Sequence, residues 1–131
     1  MSHKIFFLVL ETKNIKPNKA KISISFAPIV NVEEAYYVIG GVDFRSNLNV
    51  IARLSLSNKW SKAGELNTRR YGHGAIFVDG FIMVIGGYGD YSTEKCEVKN
   101  NGITCETQNP VLNNYFLYPE LFFVPASYCS L

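Results

Sequence analysis

Along this chain, short apolar stretches alternate with polar turns rich in Gly, Asn and Asp, and nowhere does the i, i+3, i+4 spacing of an amphipathic helix persist. The clearest stretch predicts a strand over 72–78, a tight turn at Asp79-Gly80 and a second strand over 81–85. Asp-Gly suits that turn because both central residues of a type I′ hairpin need positive φ. A loop over 88–92 follows, then strands near 93–98 and 103–108. Four short strands separated by turn residues form one predicted structural unit.

The unit repeats. Val38-Ile39-Gly40-Gly41 returns as Val84-Ile85-Gly86-Gly87 after 46 residues, each copy preceded by apolar or aromatic positions, Tyr36-Tyr37 and Ile82-Met83. At the same offset, residues 74–78 move forward onto 120–124 and back onto 28–32, so three mostly apolar segments share one register. Residues 50–56, with the polar turn that ends at Trp60, move back onto 4–10 and the polar residues after them. A period of this length with four strands per copy predicts an all-β repeat protein.

These residues resemble the kelch family: a Gly-Gly doublet closing the second strand (Gly40, Gly41 and Gly86, Gly87), an Arg and a His before or within the first strand (Arg70, His73), and a Trp opening the fourth (Trp60). The resemblance covers roughly residues 26–124. The second copy has Thr104 and Cys105 near the Trp position, the first copy lacks the Arg and His, and Leu54 or Leu56 stands where the family has a Tyr. The resemblance implies a partial kelch-type β-propeller of two complete four-stranded blades plus partial blades at both ends. Residues 1–21 would hold the last two strands of a preceding blade and a linker, 22–66 and 67–112 one blade each, and 113–131 the first strand of a following or closing blade. The doublets would lie where blades converge and the backbone turns without a Cβ in the way. Trp60 would pack on a neighbouring blade, and His73 would be structural.

So few blades cannot close a ring, since propellers typically take about four to eight. Further blades in cis or from other chains are therefore expected, with a fragment of a longer protein favoured over a homo-oligomeric ring. Phe6, Phe7 and Leu8 at one end and Phe122, Phe123 and Val124 at the other would be bare apolar edges.

Composition changes this picture little. The chain has 131 residues, 47% hydrophobic, 14% aromatic and 18% charged, a globular balance tilted toward strands. A net charge of +2 gives no dominant field for nucleic acid or an anionic membrane, and Lys13, Lys16, Lys19 and Lys21 read as a solvated loop. No apolar run approaches the roughly 20 residues of a membrane helix. The run over 5–10 ends at Glu11, too short for a signal peptide and without a cleavage site, so it reads as a strand.

Of three cysteines, Cys96 and Cys105 flank a turn. With Lys99-Asn100-Asn101-Gly102 as a four-residue loop, Val98 faces Ile103, Glu97 faces Thr104, and Cys96 faces Cys105 within disulfide reach. Such a bridge would point to an oxidising compartment, hence an extracellular parent. The absence of an Asn-x-Ser/Thr sequon and of a signal peptide favours the cytoplasmic alternative. Cys129 would be left unpaired.

Chemistry is not prominent. Gly86-Gly87-Tyr88-Gly89-Asp90 follows a strand but leads into another strand, not a helix, so it offers no dinucleotide site. Two Cys and two His do not make a zinc site at this spacing. No nucleophile motif accompanies His73, and the carboxylate pairs Glu33-Glu34 and Asp90 with Glu94 read as solvated. The chain is thus expected to be a non-catalytic scaffold without cofactor or metal, binding a protein partner through loops that carry Asp43, Phe44, Arg45, Tyr88, Asp90 and Tyr91. The alternative is a structural slice of a kelch-fold enzyme, oxidase-like, with its active residues elsewhere.

Overall fold

A computed structural model describes residues 8–11, 21–89 and 92–108. Among the described residues ten strands run in order: β1 Leu8–Glu11, β2 Lys21–Ile24, β3 Ile29–Val32, β4 Ala35–Val42, β5 Asn47–Ser55, β6 Trp60–Glu65, β7 Gly74–Val78, β8 Phe81–Ile85, β9 Thr93–Lys99 and β10 Gly102–Gln108. β1 and β2 form an antiparallel pair, and the other eight form one mixed sheet in the order β3-β4-β5-β6-β10-β9-β8-β7. The chain is therefore all-β. Lys21 opens β2 instead of belonging to a solvated loop.

The eight strands are two antiparallel four-stranded units, β3 to β6 and β7 to β10. A short parallel pairing of Gly64 with Ile103 and Glu65 with Thr104 joins them. At the other margin β3 lies against β7. Between the units sits the main core, with Tyr37, Ile39, Ile51 and Leu66 from the first meeting Ile82, Val84, Cys96 and Ile103 from the second. A smaller cluster of Ile24, Ala27, Val38 and Ala52 covers the opposite face of the first unit, with Trp60 and Leu48 packed on it.

Local sequence explains the turns. Asp79 and Gly80 both take positive φ, 51° and 82°, as a type I′ turn requires. Asn100 and Asn101 do the same at 50° and 65°, so the last hairpin has a two-residue loop, closed by a Lys99–Gly102 pair, instead of the four residues expected. Tightening removes one residue from each side, which leaves the register unchanged. Cys96 thus faces Cys105, with a Cα separation of 4.0 Å and the two sulfurs joined in a disulfide.

The 46-residue repeat is geometric as well as sequential. Isolated bridges link Ser25 to Val42 and Tyr71 to Tyr88, the same pair of positions one period apart. A Cβ on Gly41 would meet the Ser25 carbonyl at 2.9 Å and Ala27 Cβ at 2.8 Å; on Gly87 it would meet the Tyr71 carbonyl at 2.7 Å and His73 Cβ at 2.8 Å. Both glycines also have positive φ, 100° and 87°. The doublets are required by close backbone approach at equivalent places.

The offset shifts along the third strand. Val38 pairs with Ala52, whereas its repeat partner Val84 pairs with Glu94, a difference of 42 residues. The first unit absorbs four extra residues by running its ladder past the doublet, through a bulge, to Gly41–Leu48 and Val42–Asn47. Its connecting loop is therefore 43–46.

Candidate functional site

Arg70 is the hub of the second unit. Its side chain has no exposure, and Nη2 donates to Glu94 Oε2 at 2.8 Å and to Ser92 Oγ at 3.0 Å. Nη1 donates to the carbonyls of Ser92 at 2.7 Å and Gly86 at 3.2 Å. Glu94 is equally buried, and its Oε1 accepts the Asn67 amide at 2.6 Å. Glu94 is therefore no solvated carboxylate but one half of a buried ion pair. Asp90, with which it was grouped, lies outside the described residues. The Arg70 backbone ties the units together by donating to the Leu48 carbonyl at 3.1 Å and accepting from the Gly41 amide at 2.9 Å.

His73 is buried, and its Nε2 lies 2.8 Å from the Ile39 carbonyl, which can only accept. The ring thus carries a proton on Nε2, and Nδ1 has no partner among the described residues. Burial, reinforced by the Arg70 charge, lowers its pKa to about 3. A general base must be reachable, and this ring instead pins the second unit to the first.

Superposing the repeat positions exposes a substitution of chemistry at constant geometry. Ile24, Ala27 and Val38 correspond to Arg70, His73 and Val84 by the 46-residue offset, and Ala52 corresponds to Glu94 by strand pairing. Where the first unit has an apolar cluster, the second has an ion pair and a histidine. By the same pairing, the Leu54–Trp60 pair corresponds to Cys96–Cys105. The disulfide stands where the first copy uses its Trp.

At the doublet end of the units lies the exposed loop 43–46. Asp43 Oδ1 accepts the amides of Arg45 at 2.8 Å and Ser46 at 2.9 Å, which rigidify the tip. Those two amides, the Ser46 one foremost, hold the Asp43 carboxyl below its usual pKa. Phe44 is 80% exposed, and the Arg45 guanidinium lies 5.0 Å over its ring. Near the doublets Tyr88 stacks on Tyr71 with centroids 5.0 Å apart, and Phe26 tilts against Tyr71 at 6.3 Å. Sequence reasoning singled out Phe44, Arg45 and Tyr88 and missed Phe26 and Tyr71, the one next to a bridging residue, Ser25, and the other a bridging residue itself. Tyr91, with Asp90, falls outside the described residues, as do Cys129 and the apolar groups at 6–7 and 122–124.

Among the described residues no group of three or more His, Cys, Asp or Glu side chains is placed to hold a metal ion. No helix among them is long and apolar enough to cross a membrane.

No protein-family model matches the chain. It is similar to the Kelch repeat protein C2 of vaccinia virus (strain Western Reserve), 34% identical over 103 residues, which are 76% of this chain and 20% of that protein. The proteins of the same name from cowpox virus (strain GRI-90 / Grishak) and camelpox virus (strain CMS) are each 33% identical over the same length and shares. The chain spans about a fifth of the length of these curated relatives. Over three quarters of its length, then, this chain is kelch-repeat sequence, homologous to the kelch repeat proteins of poxviruses.

Proposed function

We infer that the two four-stranded units are kelch blades of a larger β-propeller, and that the chain serves as a non-catalytic scaffold whose loops dock a protein partner. Support for the blades comes from the equivalent bridges at Ser25–Val42 and Tyr71–Tyr88, the equivalent doublets, and a core shared between the facing units. On this reading the residues before β3 belong partly to a preceding blade, and additional blades, in cis or from other chains, complete the ring. The observation that carries the docking reading is Phe44. A large aromatic held in water on an internally hydrogen-bonded turn, with an arginine over its face, has already lost the flexibility that binding would otherwise remove. Tyr88 adds a second partly exposed ring at the same end.

The test is the double variant Phe44→Ala/Arg45→Ala in the full-length protein. Co-purification after cross-linking in the expressing cells should lose a protein bound by the wild type, while the melting temperature stays unchanged. The same set of bound proteins from wild type and variant would overturn the docking role of this tip.

A further inference from the structure

Cys96 has no exposure and belongs to the core between the two units, and Cys105 is partly buried against the same core. The strand that carries Cys105, β10, is also the one that joins the units, since Ile103 and Thr104 pair with Gly64 and Glu65 of β6. Gly64 has no room for a Cβ at this seam, where one would collide with the Ile103 carbonyl. Asn67, in the segment between the units, fastens the same strand: its Nδ2 donates to the Cys105 carbonyl at 3.2 Å and to Thr107 Oγ1 at 3.1 Å. Reduction of a disulfide by a dithiol begins with a thiolate attacking one sulfur and expelling the other as a thiolate. Burial bars attack on Cys96, so Cys105 is the sulfur attacked and Cys96 the leaving group. A thiolate at Cys96, in a cluster with Ile82, Val84 and Ile103, is disfavoured by its apolar surroundings. Docked units therefore oppose the reaction twice, through access and through the charge on the leaving group.

We propose that Cys96–Cys105 is a redox latch on this seam. It is closed to dithiols while the units are docked, is reduced when β10 parts from β6 and Asn67, and once reduced leaves a seam that parts more readily. The dithiol supplies both electrons. Its first thiolate forms a mixed disulfide with Cys105 and releases Cys96, which takes up a proton. Its second thiolate closes the reagent into a cyclic disulfide and frees Cys105, which is protonated in turn. With the bond gone, β10 loses its anchor in the buried Cys96 and is held there by ladder hydrogen bonds and Asn67. The latch concerns the seam alone, so it stands or falls apart from the docking role of Phe44.

The test treats the native wild-type chain with dithiothreitol, quenches with iodoacetamide and quantifies the Cys96 and Cys105 peptides by mass spectrometry. Reduction should be at least about a hundredfold slower than in the urea-unfolded chain. Urea below the unfolding transition should speed it with a slope clearly smaller than that of global unfolding, the mark of a local opening. Gly64→Ala should accelerate native reduction about tenfold or more, whereas Gly80→Ala, whose Cβ meets nothing, should leave it unchanged. The Ile103 amide, in a non-hydrogen-bonded pair with Val98, points toward β6. After reduction it should exchange with solvent about tenfold faster, and the amides of β4 should change less. A native rate close to the unfolded one, or a urea slope equal to that of global unfolding, overturns the proposal. Equal acceleration of Ile103 and β4 exchange does so too, as does an unchanged rate in a folded Gly64→Ala chain. The wild-type measurements decide by themselves, so a poorly folding variant does not rescue the latch.

Discussion

The first unit supplies an apolar template for the buried ion pair of the second, which makes that pair unusually open to dissection. Replacing Arg70 by Ile and Glu94 by Ala transplants the side chains found at the equivalent positions, Ile24 and Ala52. Each single change leaves a buried charge without its main partner, since Arg70 and Glu94 are both wholly inaccessible to water. Such changes cost about 3–5 kcal/mol each. The double variant removes both charges together and keeps only the smaller losses. The Asn67 amide and the Ser92 and Gly86 carbonyls lose a partner, and some volume is vacated. The double variant should therefore be more stable than the sum of the singles predicts, by more than about 2 kcal/mol of coupling. Urea titrations followed by circular dichroism give the four free energies of the cycle. Additivity within about 0.5 kcal/mol would refute the claim that the two charges are held by one another and not by their separate hydrogen bonds.

His73 should make the fold acid-sensitive. Its folded pKa, about 3, lies below the unfolded value of 6.5, so its contribution is intact above neutrality and declines as pH falls through that window. By pH 5 the loss is about 2 kcal/mol, and His73→Ala, which installs the Ala27 equivalent, should flatten this part of the stability profile; an unchanged slope would contradict the neutral, buried ring. Reducing the Cys96–Cys105 disulfide should lower stability by about 2.5 kcal/mol in the chain-entropy model, read as a drop in urea midpoint with reductant that Cys105→Ser abolishes. Gly87→Ala should cost distinctly more than Gly80→Ala. Both glycines have positive φ, but a Cβ meets the Tyr71 carbonyl at 2.7 Å in one case and open space in the other; equal losses would show that φ alone governs.

How far the sequence spoke for itself depended on whether local chemistry decided the outcome. Residues 81–85 form β8 as expected, since Asp79-Gly80 fixes where the strand can begin. The Cys96–Cys105 register survived an error in loop length because the error was symmetric. Glu94 was illegible for a different reason. A charged residue in an amphipathic strand reads as solvated, and its burial depends on Arg70, 24 residues away, arriving through a turn set by long-range contacts. The four-residue shift in β5 was hidden likewise, because a bulge beside Gly40-Gly41 extends a ladder without any composition change. The hairpin tip was half legible: exposure of Phe44 follows from the turn residues around it, but the Phe26–Tyr71–Tyr88 stack joins rings from separate repeats.

The exchange of Ile24 and Ala52 for Arg70 and Glu94 also gives the repeats an order. In an array of near-identical layers nothing prevents a layer from docking one step out of place, or a second molecule from lending its own. Here the face that holds the ion pair also meets the chain through Arg70's bonds to Leu48 and Gly41. A neighbour that did not present those backbone groups would leave the Arg70 main-chain N–H and C=O unpaired beside the buried ion pair. Misstacking and swapping that break these bonds are thus penalised at this junction.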